Sequence, residues 1–183
     1  MPPNTYVSEG GAVVYERKSA IVSADAIYRY ALERVWSERL PMLVVVGLNP
    51  STADGDVDDN TIRKVVGFSR RWGFGGIVMT NLYAFRSKDP NVMKKAIREK
   101  GLRYAIGETN DHVLSRCFSK HENVWFAWGA QGCPARASQV LALAHAHGRE
   151  PYCIGTSVEG APLHPLRQSY KSVRRPWYLL GGA

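Results

Sequence analysis

The sequence predicts a three-layer α/β/α fold built on a central, mainly four-stranded parallel sheet. Two observations carry that prediction. Four short apolar runs recur along the chain, each nearly continuous rather than alternating, as parallel strands covered on both faces require. Amphipathic segments with their own start and stop residues separate those runs, which is the pattern of an α/β domain. The 183 residues match the size of one domain, and neither a repeat nor a linker divides them.

The elements follow in order. Ala12 to Val22 can add a strand or hairpin. Ser23 can cap a helix whose Ile27, Ala31, Leu32 and Val35 form one stripe. Met42 to Leu48 reads as the first buried strand. Asp59 or Asn60 can cap a helix carrying Ile62, Val65 and Val66 and closed by Gly73. Ile77 to Leu82 is the second strand. Ile106, Val113, Leu114, Cys117 and Phe118 mark a further helix. Val124 to Trp128 is the third strand. Pro134 suits the first turn of a helix whose Ala137, Val140, Leu141 and Ala144 share a face. Tyr152 to Gly155 is the fourth strand.

Composition narrows the function. Hydrophobic residues make up 45% of the chain and charged residues 22%, which excludes disorder of the whole. The most apolar stretch, Met42 to Leu48, has seven residues, far fewer than the ~20 that span a bilayer, so no membrane partner is expected. Met1-Pro2-Pro3-Asn4 lacks the basic start and apolar run of a secretory signal, and a cytoplasmic location is expected. Lys and Arg number 24 against 16 acidic residues, a net charge of +8 that favours an anionic partner such as nucleic acid. Cys117, Cys133 and Cys153 have neither metal-ligand nor redox spacing and read as reduced thiols.

In open parallel sheets, ligands bind beyond the carboxyl ends of the strands. The first strand leads into Gly47-Leu48-Asn49-Pro50-Ser51. The second ends on Asn81, an amide in an apolar run. The third is followed by Trp128-Gly129-Ala130-Gln131, and the fourth leads on to His164-Pro165-Leu166. Polar groups therefore gather where the fold predicts a pocket.

These motifs, in this order, resemble those of the uracil-DNA glycosylase superfamily. Gly47-Leu48-Asn49-Pro50 is similar to its first motif in the Asn form. Val78-Met79-Thr80-Asn81 resembles the strand whose Asn reads the base. Trp128-Gly129-Ala130-Gln131 resembles the third-strand motif, and His164-Pro165-Leu166 a shortened form of the last. The likeness covers about residues 42 to 175. The segment from Val46 to Asp59 also resembles an uncharacterised bacterial family. Three positions depart from the superfamily pattern. Ser51 stands where the strictest uracil enzymes carry a Tyr, Asn49 replaces the water-activating Asp of the fastest members, and the last motif lacks a Ser-Pro insertion.

The resemblance implies a uracil-DNA-glycosylase-like fold and hydrolysis of the N-glycosidic bond of a flipped uracil, with neither metal nor organic cofactor. Donors aimed at charge growing on the departing base are the main catalytic device. His164 is the expected donor to the base carbonyl, and Asn49 the expected holder of water. Asn81 can pair with a carbonyl and an N–H on one base edge, which suits uracil over cytosine. Gly47, Leu48 and Ser51 are expected at the base. The stacking aromatic is open among Phe68, Phe74, Tyr83 and Phe85, with Phe68 placed in the base-binding set.

Two clusters could grip DNA. Arg63, Lys64, Arg70 and Arg71 share one helical face. Arg167, Lys171, Arg174 and Arg175 lie in a C-terminal stretch with no acidic residue after Glu159. With Leu166 and Arg63, the second cluster forms the expected DNA-binding set. Single-stranded uracil-containing DNA is the favoured partner, because no pair must be broken to flip the base, and the protein is expected to act as a monomer. Two alternatives stand beside this reading. Asp54, Asp56, Asp58 and Asp59 could serve a metal-dependent nuclease or nucleotide hydrolase, although capping of the following helix explains them more simply. A module that binds single strands or senses damage without turnover is the other.

Overall fold

Met42 to Gly47 is a run of apolar residues with branched side chains at three consecutive positions, and it forms the strand at the centre of the sheet. The structure is a computed structural model that describes residues 13–51 and 57–178. Its elements are β1 (Arg17–Val22), β2 (Arg29–Val35), β3 (Met42–Gly47), α1 (Asn60–Arg71), β4 (Gly76–Asn81), α2 (Pro90–Lys100), α3 (Leu102–Ile106), α4 (Asn110–Lys120), β5 (Asn123–Phe126), α5 (Pro134–Ala146), β6 (Tyr152–Cys153) and β7 (Arg175–Pro176). A 3₁₀ turn spans Pro165–Arg167.

One seven-stranded sheet runs in the order β1-β2-β4-β3-β5-β6-β7. Its centre, β4-β3-β5-β6, is parallel and comprises the four strands expected from the apolar runs. The flanking strands β1, β2 and β7 are antiparallel additions. Leu43, Val45, Ile77, Met79 and Trp125 project to one face, against Ile62, Val65, Val66 and Phe68 of α1. Val44, Val46, Val124 and Phe126 project to the other, against Leu114 and Phe118 of α4 and Ala137, Val140 and Ala144 of α5. Each fully buried Val, Leu, Ile or Phe contributes about 1.5–3 kcal/mol, so residues alternating along β3 tie helices to both faces.

The helix expected from Ser23 through Val35 is corrected. Ala26 takes φ 59°, which no helical turn allows. The Ser23 hydroxyl oxygen accepts the Tyr28 N–H at 2.9 Å and closes the turn between β1 and β2. Residues 29–35 then pair with β1 on one edge and β4 on the other. Ile106 ends α3 instead of joining α4, and α2 and α3 add helices that the apolar stripes did not mark. Among the described residues, no helix is long and apolar enough to cross a membrane.

Candidate functional site

β3 and β4 run in register, so Gly47 and Asn81 face each other at the carboxyl ends of their strands. Asn81 continues the row of Ile77 and Met79 and therefore lies on the α1 side of the sheet. Its side chain is 1% exposed, and among the described residues neither Nδ2 nor Oδ1 has a hydrogen-bond partner. A buried amide left in this state costs about 1–3 kcal/mol per unpaired group. Such a cost is expected where a site awaits a ligand that supplies the partners. A Cβ at position 47 would stand 2.8 Å from Asn81 Oδ1 and 2.6 Å from Met79 Cε, so the space the amide occupies depends on glycine opposite.

The backbone beneath Asn81 is held firmly. Asn110 Nδ2 donates to the carbonyls of Asn81 and Leu82 at 3.1 and 3.2 Å. Arg136 Nε donates to the same Leu82 carbonyl at 3.0 Å, and its guanidinium also reaches the Asp111 carboxylate. Both side chains are fully buried. Sequence reasoning missed this pair, since their partners are backbone carbonyls brought close only by the tertiary fold.

Asn49 lies just past β3. Its Nδ2 donates to the carbonyls of Ser87 at 3.0 Å and Pro50 at 3.2 Å, with Phe85 O at 3.5 Å. The amide nitrogen is thus committed to the 85–87 loop, and Oδ1 is the atom left to accept a hydrogen bond from a water or ligand. Ser51, two residues after Asn49, is half-buried. Leu48 departs from expectation, because its side chain packs against the cluster around Val44 and Val46, on the face away from Asn81.

His164 enters from the segment between β6 and the 3₁₀ turn. Its Cβ borders Gly129, whose N–H donates to Pro162 O at 2.9 Å, so the motif after β5 and the His-Pro motif meet as the sequence suggested. His164 Nδ1 accepts the Leu166 N–H at 3.3 Å, which leaves Nε2 to carry the proton of a neutral ring. Burial lowers its pKa below the ordinary value, and the Asp59 carboxylate at the head of α1 works in the opposite direction. Asp59 and His164 therefore share one neighbourhood at the carboxyl end of the sheet.

Phe68 is corrected as a base-stacking residue. It is fully buried, with Trp72, Trp125 and Tyr170 packed around its ring at centroid distances of 5.2, 5.4 and 4.9 Å. Phe74 and Tyr83 are also buried, and Phe85 alone of the four keeps part of its surface. Phe85 packs against Tyr28 and Tyr104 beside the loop that holds Asn49.

The described carboxylates of the Asp cluster have structural work. Asp59 Oδ1 accepts the Ile62 N–H at 2.8 Å and caps α1. Asp58 accepts from Arg34 Nε at 2.7 Å and from the Tyr15 hydroxyl. Asp54 and Asp56 lie outside the described residues. Among the described residues, no group of three or more His, Cys, Asp or Glu is placed to hold a metal ion.

The two basic clusters prove to be neighbours. Tyr170 lies against α1 over Gly67, with Lys64 Nζ 3.8 Å and the Arg71 guanidinium 4.0 Å from its ring centroid. Further along, the Arg174 guanidinium sits 5.4 Å from the rings of Trp72 and Tyr152. Arg167 and Lys171 are exposed, and Leu166 is exposed at 45%. Arg63 bonds to Asp58 O and to Asn60 Oδ1, both at 2.6 Å, at the head of α1. Arg175 lies on β7 at the sheet's far edge, paired with Cys153. The Arg70 charge acts on the Tyr15 hydroxyl, whose pKa it lowers against the larger upward effect of burial. Tyr170 was missed, though the sequence held its seat: Gly67 between cations one turn either side.

A cavity of about 760 Å³ opens elsewhere, between α3, α4 and α5, lined by Leu102, Arg103, Ile106, Glu108, Asp111 and Leu143. It touches none of Asn49, Asn81 and His164. The candidate site rests on the buried amide, whose cost needs a reason, and not on open volume.

Residues 29–166 match the model of a family described as protein of unknown function (DUF1643), and the chain belongs to that family. No curated protein and no solved structure matches it.

Proposed function

We propose that the protein is a DNA glycosylase of the uracil type, with a uracil-DNA-glycosylase-like fold, that hydrolyses the N-glycosidic bond of uracil or a related damaged base, preferably in single strands. The observation that carries this reading is the Asn81 amide, buried with a donor and an acceptor both unpartnered at the end of β4. A uracil edge offers a carbonyl and an N–H side by side, which would satisfy both atoms of one amide. The neighbouring groups fit the same reaction. Neutral His164 Nε2–H would donate to the base carbonyl as charge grows there. Asn49 Oδ1 would hold the water that meets the sugar. Gly47 leaves the room, and Ser51 follows Asn49 by two residues. Arg63, Leu166, Arg167, Lys171, Arg174 and Arg175 are proposed to contact the DNA, and the protein is proposed to work as a cytoplasmic monomer.

The test is release of free base from oligonucleotides carrying uracil, thymine mismatches, hypoxanthine or other lesions, in excess EDTA. Uracil release that persists in the chelator, and that falls about 100- to 1,000-fold in His164→Ala under single-turnover conditions, is the expected result. Activity that disappears in EDTA and returns with magnesium would replace this reading with a metal-dependent phosphodiester or nucleotide hydrolase. Binding of damaged strands without release of any base would leave a sensing module.

A further inference from the structure

The cations of α1 and of the C-terminal segment form one line. α1 carries no acidic residue from Asn60 to Arg71, and the chain carries none after Glu159. Arg63, Lys64, Arg71, Arg167, Lys171 and Arg174 form no ion pair with a carboxylate among the described residues. The C-terminal segment leaves His164, turns once through Pro165–Arg167 beside α1, and then follows that helix. Tyr170 meets it at Gly67, and Arg174 meets it at Trp72, the C-cap residue. The seam is therefore about as long as the 12-residue helix, about 18 Å, and it starts at the candidate site.

We propose that this seam is a track for the backbone of a single-stranded nucleic acid. Arg63, Lys64 and Arg71 line it from α1, and Arg167, Lys171 and Arg174 line it from the C-terminal segment. Tyr170 is the positioning residue, because its ring gathers Lys64 and Arg71 and fastens the segment to the helix. Any side chain at position 67 would overlap the Tyr170 hydroxyl, so glycine there makes the seat. A narrow line of cations suits one strand of phosphates, which bind by neutralisation and counterion release. The proposal concerns binding alone and does not require that the pocket excise a base.

The test is fluorescence anisotropy of a labelled single-stranded oligonucleotide that contains no uracil, across a salt series. Each phosphate neutralised on a single strand adds roughly −0.7 to the slope of log affinity against log salt. Lys64→Ala with Arg71→Ala should weaken binding and make that slope shallower by about 1.4. Tyr170→Ala should weaken binding in the same direction, and Tyr170→Phe should retain it. Lys94→Ala with Lys120→Ala removes equal charge from other exposed positions and should leave the slope unchanged. Equal losses in both double variants would reduce the effect to net charge and overturn the track. So would tighter binding of the matched duplex, or binding to phosphatidylserine vesicles without binding to the oligonucleotide. Loss of base release with the track intact, or the reverse, separates failure of the pocket reading from failure of this one.

Discussion

Gly47 and Asn81 are register partners on adjacent parallel strands, and the amide of Asn81 takes up space that a side chain at position 47 would fill. Alanine at 47 should therefore strain the site more than a methyl group ordinarily would. Overpacking of this kind costs about 1–3 kcal/mol. Asn81→Ala removes the atom 2.8 Å away and should recover part of that loss, since the remaining neighbour is the flexible end of Met79. Urea unfolding of the two single variants and the double variant gives the coupling directly. Strict additivity would mean that the two positions do not compete for space.

Asn81→Leu should leave the fold as stable as the wild type or more stable, while uracil release is lost. Both polar atoms of Asn81 are buried without partners, so an apolar residue of similar shape removes a cost of about 1–3 kcal/mol per unpaired group. Asn110→Leu is the contrast. That amide serves the Asn81 and Leu82 carbonyls, and its loss should destabilise by a similar amount. Thermal unfolding of the two variants should therefore diverge in sign. A destabilised Asn81→Leu would show that the amide has partners after all.

The four central strands were legible because burial on both faces leaves an apolar signature in each run, and α1 and α5 because Asp59 and Pro134 mark their starts. The segment from Ser23 to Val35 misled because Ile27, Ala31, Leu32 and Val35 satisfy a helical spacing by chance. What decides its state lies far away: β4 as an edge to pair with, and Asp58 as the partner of the buried Arg34. The positions of Asn81 and His164 at the sheet's end were legible from strand-end motifs. Phe68 was not separable from core aromatics, since stacking on a ligand and packing on Trp125 select the same residue type.

Asp58 and Asp59 should differ sharply on substitution. Asp58→Ala removes the carboxylate that accepts from Arg34 Nε, on a guanidinium that is 0% exposed, and should cost about 1.5–3 kcal/mol. Asp59→Ala removes one helix cap and should cost about 1 kcal/mol. A shared role in metal binding would instead make both variants lose one cation-dependent activity together. Denaturant midpoints measured beside activity in magnesium distinguish the two patterns.

Stability should decline as the solution is acidified from neutral, and His164 should account for part of the decline. Burial holds its imidazole neutral in the fold, with a pKa below the ordinary value, against the weaker pull of Asp59. The unfolded chain takes up that proton near pH 6.5. Between the folded and unfolded pKa values the unfolded state therefore binds more protons, and acid favours it. The contribution is complete above about pH 6.5 and is lost as pH falls through that value toward the folded pKa. His121 adds to the same trend, because burial and the neighbouring Lys120 also lower its pKa. Melting temperatures measured at intervals from about pH 5.5 to 8 should thus fall toward acid in the wild type. His164→Gln and His121→Gln should each flatten that fall, and the double variant should flatten it most. An unchanged slope in His164→Gln would mean that its ring is solvated in the native state and that burial does not hold it neutral.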